Sequence, residues 1–138
     1  RLQGRVRDPR AGYEQSLTTL EEARRYAKTS RAGPMFTKSS IMLGLGETRA
    51  ELEGAFLDLR RYGVDVLTLG QYLRPTLEHL PVESFVAPEE FKALEERAVA
   101  DGFLYVASGP LVRSSYRAGE FFIEGLIRKQ KGEGSNGI

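Results

Sequence analysis

Three short apolar segments, separated by amphipathic helices, predict an α/β fold built on a parallel sheet. Two observations carry this prediction. Apolar residues recur at helical spacing over residues 12–28, 48–62 and 88–101, and β-branched or continuous apolar runs stand between them. Gly and Pro punctuate nearly every junction. Three strands are too few to close a barrel. The pattern therefore fits part of an α/β barrel or a small open α/β sheet. No internal repeat and no domain boundary interrupts it.

The first helix is expected from about Gly12 to Lys28, with Tyr13, Leu17, Leu20, Ala23 and Ala27 on one stripe. Met35 to Leu43 follows as a strand, its Ile41-Met42-Leu43 end suited to burial on both faces. Thr48 and Glu51 form a capping box that opens the second helix. Leu52, Ala55, Phe56, Leu59 and Tyr62 give its buried stripe, and Gly63 its left-handed cap. Val64 to Leu69 reads as the second strand. Gly70 to Ala87, with Pro75 and Pro81, is a long connection, and loops of that length in compact domains are usually functional or part of an interface. Pro88, Glu89 and Glu90 open a third helix that buries Phe91, Leu94 and Ala98 and ends at Gly102. The third strand is Phe103 to Ala107. Gly109 to Tyr116 is a loop, and a fourth helix runs from about Ala118 to Lys131, burying some of Phe121, Phe122, Ile123, Leu126 and Ile127.

The chain has 138 residues, which suits one domain with a modest core. Its formal net charge of +1 gives no case for bulk attraction to nucleic acid or to an anionic membrane. No apolar run approaches the roughly 20 residues that span a bilayer. The absence of cysteine excludes a disulfide framework and is compatible with a cytosolic protein, as is an opening that lacks a signal peptide. The Arg-rich start reads as a cut through something larger, and the Gly-rich residues 132–138 read as a flexible tail.

Three polar or Gly-rich segments fall at the carboxyl ends of the three strands, where parallel α/β folds bind ligands. They are Gly44-Leu45-Gly46-Glu47, Gly70 to Thr76, and Ser108 to Tyr116. Gly44 and Gly46 let backbone approach a ligand closely, and a tight strand-to-helix turn needs the same residues. Lys38 either points into a polar lumen to meet an acidic ligand or snorkels at an edge. Gln71 can donate and accept, which suits a purine edge, a carbonyl or a loop cap. His79, the only histidine, has no Ser, Cys or Asp constellation and receives no catalytic role. In Arg113-Ser114-Ser115-Tyr116, two hydroxyls flanked by Arg113 and Arg117 can bind an anion, and the simpler reading of the serines is a helix N-cap.

Four stretches together say more than any one of them: 6–11 (VRDPRA), 38–47 (KSSIMLGLGE), 67–76 (LTLGQYLRPT) and 108–116 (SGPLVRSSY). In this order and at this spacing they resemble the lipoyl synthase family of radical S-adenosylmethionine enzymes, and the resemblance covers essentially residues 1–130. It implies a partial (β/α)6 TIM-like barrel, of which residues 1–131 would be the C-terminal half. It implies insertion of two sulfurs at C6 and C8 of an octanoyl group held on a lipoyl carrier domain, either a 2-oxoacid dehydrogenase E2 or the glycine cleavage H protein. The family uses two [4Fe-4S] clusters and S-adenosylmethionine. One cluster, on a Cys-x3-Cys-x2-Cys loop, generates the radical. The auxiliary cluster donates sulfur and is held by three cysteines and a serine of the Arg-Ser-Ser-Tyr motif. Carried over, that serine is Ser115, with Ser114 as the alternative and Arg113 and Tyr116 as its neighbours in the motif. Gly44, Gly46, Glu47, Gln71 and Lys38 fall in segments that border the nucleoside, and Arg7 or Arg10 is the counterpart for the methionine carboxylate.

The departure from the family is equally specific. Cluster ligands are chiefly cysteine thiolates, and this chain has none. No cluster is expected to bind it stably alone, and catalysis would need the cysteine-bearing half of the enzyme as partner. A non-catalytic nucleoside-binding module and a folding fragment without its own function are the competing readings.

Overall fold

A computed structural model of the chain describes residues 1–29, 35–115 and 123–129. The elements follow in the order α1 (Gln3–Val6), α2 (Tyr13–Thr29), β1 (Lys38–Leu43), α3 (Arg49–Arg61), β2 (Val66–Gln71), α4 (Pro88–Ala100) and β3 (Tyr105–Ser108). Residues 123–129 are helical. Phe121 and Phe122 of the expected fourth helix, and the tail 132–138, lie outside the described residues.

The three strands form one sheet of order β1-β2-β3. Both pairs are parallel, with Leu43 opposite Gln71 and Leu69 opposite Ser108 at their carboxyl ends. The α/β class and the parallel alternation are therefore as expected. β2 is central and buried at every position, which explains its near-continuous apolar character.

Strand side chains alternate between faces. Leu43, Leu67, Leu69 and Val106 share one face and join the core with Leu52, Phe56 and Leu59 of α3 and Phe91, Leu94 and Ala98 of α4. Phe103 closes it edge-on against Phe56, with centroids 6.3 Å apart at 87°. α2 adds Leu17 and, partly, Leu20 to this core. The other face carries Lys38, Ser40 and Met42 from β1, Val66, Thr68 and Gly70 from β2, and Tyr105 and Ala107 from β3.

Local chemistry sets the ends of the elements. The capping box of α3 is present: Thr48 Oγ1 accepts from the Glu51 N–H, and Glu51 Oε1 accepts from the Thr48 N–H, both at 3.2 Å. Pro88 occupies the first turn of α4, with Glu89 and Glu90 beside it. Gly63 adopts φ 80°, and the Val64 N–H returns to the Leu59 carbonyl at 2.9 Å.

Strand limits differ from expectation for one physical reason. Residues 64–65 and 103–104 are taken up in the return from the preceding helix, so each ladder starts about two residues later. The Asp65 and Val66 N–H groups both donate to the Thr37 carbonyl at 3.0 Å, and Leu104 N–H donates to Asp65 O at 2.8 Å. β2 correspondingly extends through Gly70 and Gln71, which the composition had placed in the loop.

Candidate functional site

The carboxyl edge of the sheet gathers the three segments. After Leu43 the chain turns through Gly44 at φ 99° and Gly46 at φ 93°. The Glu47 carboxylate folds back over this turn, accepting from the Gly44 N–H at 2.7 Å and the Leu45 N–H at 2.9 Å. A Cβ at Gly44 would collide with Gln71 Nε2 and with the Ser84 carbonyl. The Gly44 carbonyl in turn accepts from the Glu83 and Ser84 N–H groups at 2.8 and 3.3 Å.

Gln71, the last residue of β2, is 3% exposed. Its Nε2 donates to the carbonyls of Leu43 (3.2 Å), Tyr72 (3.0 Å) and Ser84 (3.0 Å). Its Oε1 accepts from the Val86 N–H at 2.8 Å. Both ends of the amide are thus committed to backbone, so Gln71 is the loop cap of the sequence alternatives and holds no free edge toward a ligand.

The connection 72–87 has no helix or strand, yet its side chains tie it down. Tyr72 Oη donates to the Leu80 carbonyl at 2.9 Å, and the Arg74 guanidinium donates to the carbonyls of His79 (2.9 Å) and Leu77. Thr76 Oγ1 lies 2.8 Å from His79 Nδ1. Leu77 and Phe85 are left 86% and 75% exposed on its surface.

Beyond β3, Ser108 Oγ donates to the Phe91 carbonyl of α4 at 2.7 Å, and Gly109 N–H continues the ladder to Leu69 O at 3.1 Å. The loop then doubles back. Val112 O sits where a side chain at position 70 would have to be, so only glycine permits this approach. Arg113 Nη1 donates to Pro110 O (3.1 Å) and Val112 O (2.8 Å). Ser114 and Ser115 follow in an exposed turn. Tyr116 lies outside the described residues, as does the start of the helix that the serines were expected to cap. Gly70 therefore seats the third segment on β2, and Gln71 ties the first to the second.

The remaining candidates stand elsewhere. Lys38 is at the amino end of β1, five residues from Leu43, or about 16 Å at the rise of an extended strand. Arg7 Nη2 donates to Ser16 Oγ at 2.6 Å, and Arg10 grips Asp8 through Nε and Nη2 at 3.0 and 2.9 Å. Among the described residues, neither hydrogen-bonds to the three loops. Arg7 instead lines a cavity of about 460 Å³ with Leu2, Val6, Gly54, Ala55 and Asp58. Sequence reasoning overlooked Arg1, whose Nη2 donates to Gly46 O and to Glu51 Oε1, both at 2.7 Å.

Among the described residues, no group of three His, Cys, Asp or Glu side chains could hold a metal ion. Without cysteine the chain also lacks the thiolates that an iron–sulfur cluster requires. Its own donors do not fit such a cluster by themselves. Among the described residues, no helix is long and apolar enough to cross a membrane.

Parallel strands alternating with helices, with three loops joined at one carboxyl edge, define an α/β protein of the class that places its ligands at that edge. No family model matches the chain. Among curated proteins it is 60% identical over 130 residues to the chloroplastic lipoyl synthase 1 of Zea mays, which covers 94% of this chain and 35% of that protein. It is 59% identical over 131 residues to the lipoyl synthase of Myxococcus xanthus (95% of this chain, 42% of that protein). It is 59% identical over 132 residues to the chloroplastic lipoyl synthase of Ostreococcus lucimarinus (94% and 39%). Over nearly its whole length the chain is similar to lipoyl synthases, and it spans between 35 and 42% of the length of these relatives.

Proposed function

We propose that the chain is the C-terminal half of a cytoplasmic lipoyl synthase, contributing the last strands of a (β/α)6 barrel. The enzyme is a sulfurtransferase that inserts two sulfurs at C6 and C8 of an octanoyl group carried by an E2 or H-protein lipoyl domain. The observation that carries this reading is identity near 60% along almost the whole chain to lipoyl synthases from plants, an alga and a bacterium. The gathering of the three motif-bearing loops at one sheet edge supports it. Bound S-adenosylmethionine and two iron–sulfur clusters would supply the radical chemistry and the sulfur, and the cluster thiolates would come from the rest of the enzyme.

In this reading the residues of the chain position and ligate. The Gly44–Glu47 turn borders the nucleoside, its shape held by the Glu47 carboxylate. The Val112–Ser115 loop, seated on Gly70, would supply Ser115 Oγ as a ligand arm two residues after Arg113. A serine oxygen is a poorer partner for iron than a thiolate, which suits a cluster that must be dismantled to release sulfide. Arg7 and Arg10, bonded to Ser16 and Asp8, and Lys38, at the amino end of β1, are given no role in this reading.

The test is Ser115→Ala in the full-length enzyme. Lipoyl product should fall by roughly two orders of magnitude or more, as when a positioned catalytic ligand is lost, while S-adenosylmethionine cleavage persists. Equal lipoyl product from variant and wild type would remove Ser115 from the site.

A further inference from the structure

We infer that Gln71 is a positioning residue: its side-chain amide fixes the Gly44–Glu47 turn against segment 83–86, and so sets where that turn meets a nucleoside ligand. The inference rests on the proposed reading for the identity of the ligand, and on geometry alone for the clamp. Four backbone groups converge on one buried amide. The two N–H bonds of Nε2 serve three carbonyls, from Leu43, Tyr72 and Ser84, and Oε1 takes the Val86 N–H. These groups belong to the end of β1, the end of β2 and the far end of the long connection. Leu43 directly precedes the turn, and Gly44 fits against Nε2 and the Ser84 carbonyl with no room for a side chain. Segment 83–86 has no helix or strand of its own, so side-chain and loop hydrogen bonds hold it in place.

The chemistry demands an amide at this position. Glutamate would set a carboxylate oxygen against three carbonyl oxygens. Methionine would keep the length and volume but leave the Val86 N–H and the Ser84 carbonyl without this partner, a cost that falls on buried polar groups. A group buried this deeply and bonded on both ends does not read a ligand directly. It acts through the turn.

The experiment compares Gln71→Glu, Gln71→Met and Leu94→Ala in the full-length protein. Leu94 is a buried core residue in the middle of α4, and its truncation controls for lost stability. Kinetics with S-adenosylmethionine as probe should show KM raised about tenfold in both Gln71 variants, the effect of losing one well-placed hydrogen-bonded contact, with kcat for its cleavage little changed. Leu94→Ala should lower the urea midpoint and leave KM in place. Amide exchange supplies a second readout that needs no ligand: Glu83, Ser84 and Val86 should exchange about tenfold faster in the Gln71 variants only. Gln71 variants that lose stability but keep both KM and these exchange rates would overturn the inference. A wild-type protein that does not cleave S-adenosylmethionine would instead refute the proposed function, and exchange at Ser84 and Val86 would still decide the clamp.

Discussion

The two ends of β2 solve the same problem with different chemistry. At the amino end Asp65, its side chain 6% exposed, accepts from Arg24 Nη1 at 2.7 Å and from the Thr37 N–H at 3.2 Å. At the carboxyl end Gln71 joins Leu43, Tyr72, Ser84 and Val86. Each is one buried side chain that knits several backbone segments together. The amino end uses a charge and its counter-charge, and the connections there are short, 62–65 and 101–104. The carboxyl end uses a neutral amide and carries long loops with exposed Ser114, Ser115 and Leu77. A charge pair holds a closed end firmly. A neutral clamp adds no charge of its own to the open edge, where the Glu47 carboxylate and the Arg113 guanidinium already stand. The division follows the rule for parallel α/β folds, in which the amino face serves stability and the carboxyl face chemistry.

Glycine substitutions should break the comparison most visibly. Gly44 and Gly63 both hold positive φ, at 99° and 80°. Gly44 is backed by the Ser84 carbonyl and the tied Gln71 amide, whereas Gly63 is backed by Arg24, whose Cδ lies 2.7 Å from the added Cβ. Gly44→Ala therefore combines backbone strain with a clash that cannot relax, and should cost about 3 kcal/mol in urea denaturation of the intact protein. Gly63→Ala should cost about 1 kcal/mol, because a long side chain can move aside. Equal costs would mean that the carboxyl edge is no more rigid at its turn than the amino edge.

A smaller effect is expected from Asp65→Ala. The substitution leaves the Thr37 N–H and the Arg24 guanidinium without their carboxylate. Arg24 is about a third exposed, so water recovers part of its loss, and about 2 kcal/mol is expected. Its signature should be confined to stability. A change in ligand KM without a change in the urea midpoint would dissolve the distinction between a structural end and a functional one.

Much of the frame was legible because it is written in local rules. Thr48 and Glu51 announced the start of α3, and Phe91, Leu94 and Ala98 announced the face of α4, since helical spacing and caps need only neighbours in sequence. The four-residue α1 was invisible: it has no side-chain cap and no buried residue, and is too short for a period. The motif loops were readable as loops, but not the partners of Gln71. Those lie up to 28 residues away, and nothing local distinguishes a glutamine that reads a ligand from one that clamps backbone. Glu47 was nearer to legible, because a carboxylate one residue beyond a Gly-x-Gly turn can reach back to its N–H groups. The place of Lys38 was not legible either, because strand polarity decides which end a residue occupies, and Lys38 opens β1 at its amino end.

The smallest effect tests whether the α2–α3 seam belongs to the structural side of the molecule. Tyr13 Oη donates to Asp58 Oδ2 at 2.9 Å. Partial burial, then the hydrogen bond to Asp58 and its negative charge, push the phenol from 10.0 up to about 12. A folded-state value above the unfolded one favours the neutral phenol in the native protein. The contribution is therefore fully present below pH 10 and is lost as pH rises through 12. Tyr13→Phe keeps the ring and deletes the titration. Near neutrality it should lower stability by well under 1 kcal/mol, since the pair is partly solvated. The gap between wild type and variant in urea midpoint should then narrow as pH climbs from 10 to 12, and the difference between the two proteins cancels the other tyrosines and the lysines. Midpoints that stay parallel across that range would detach Tyr13 from Asp58. A simultaneous rise in ligand KM near neutrality would show that this seam, joined through Arg24 to Asp65, reaches the carboxyl edge after all.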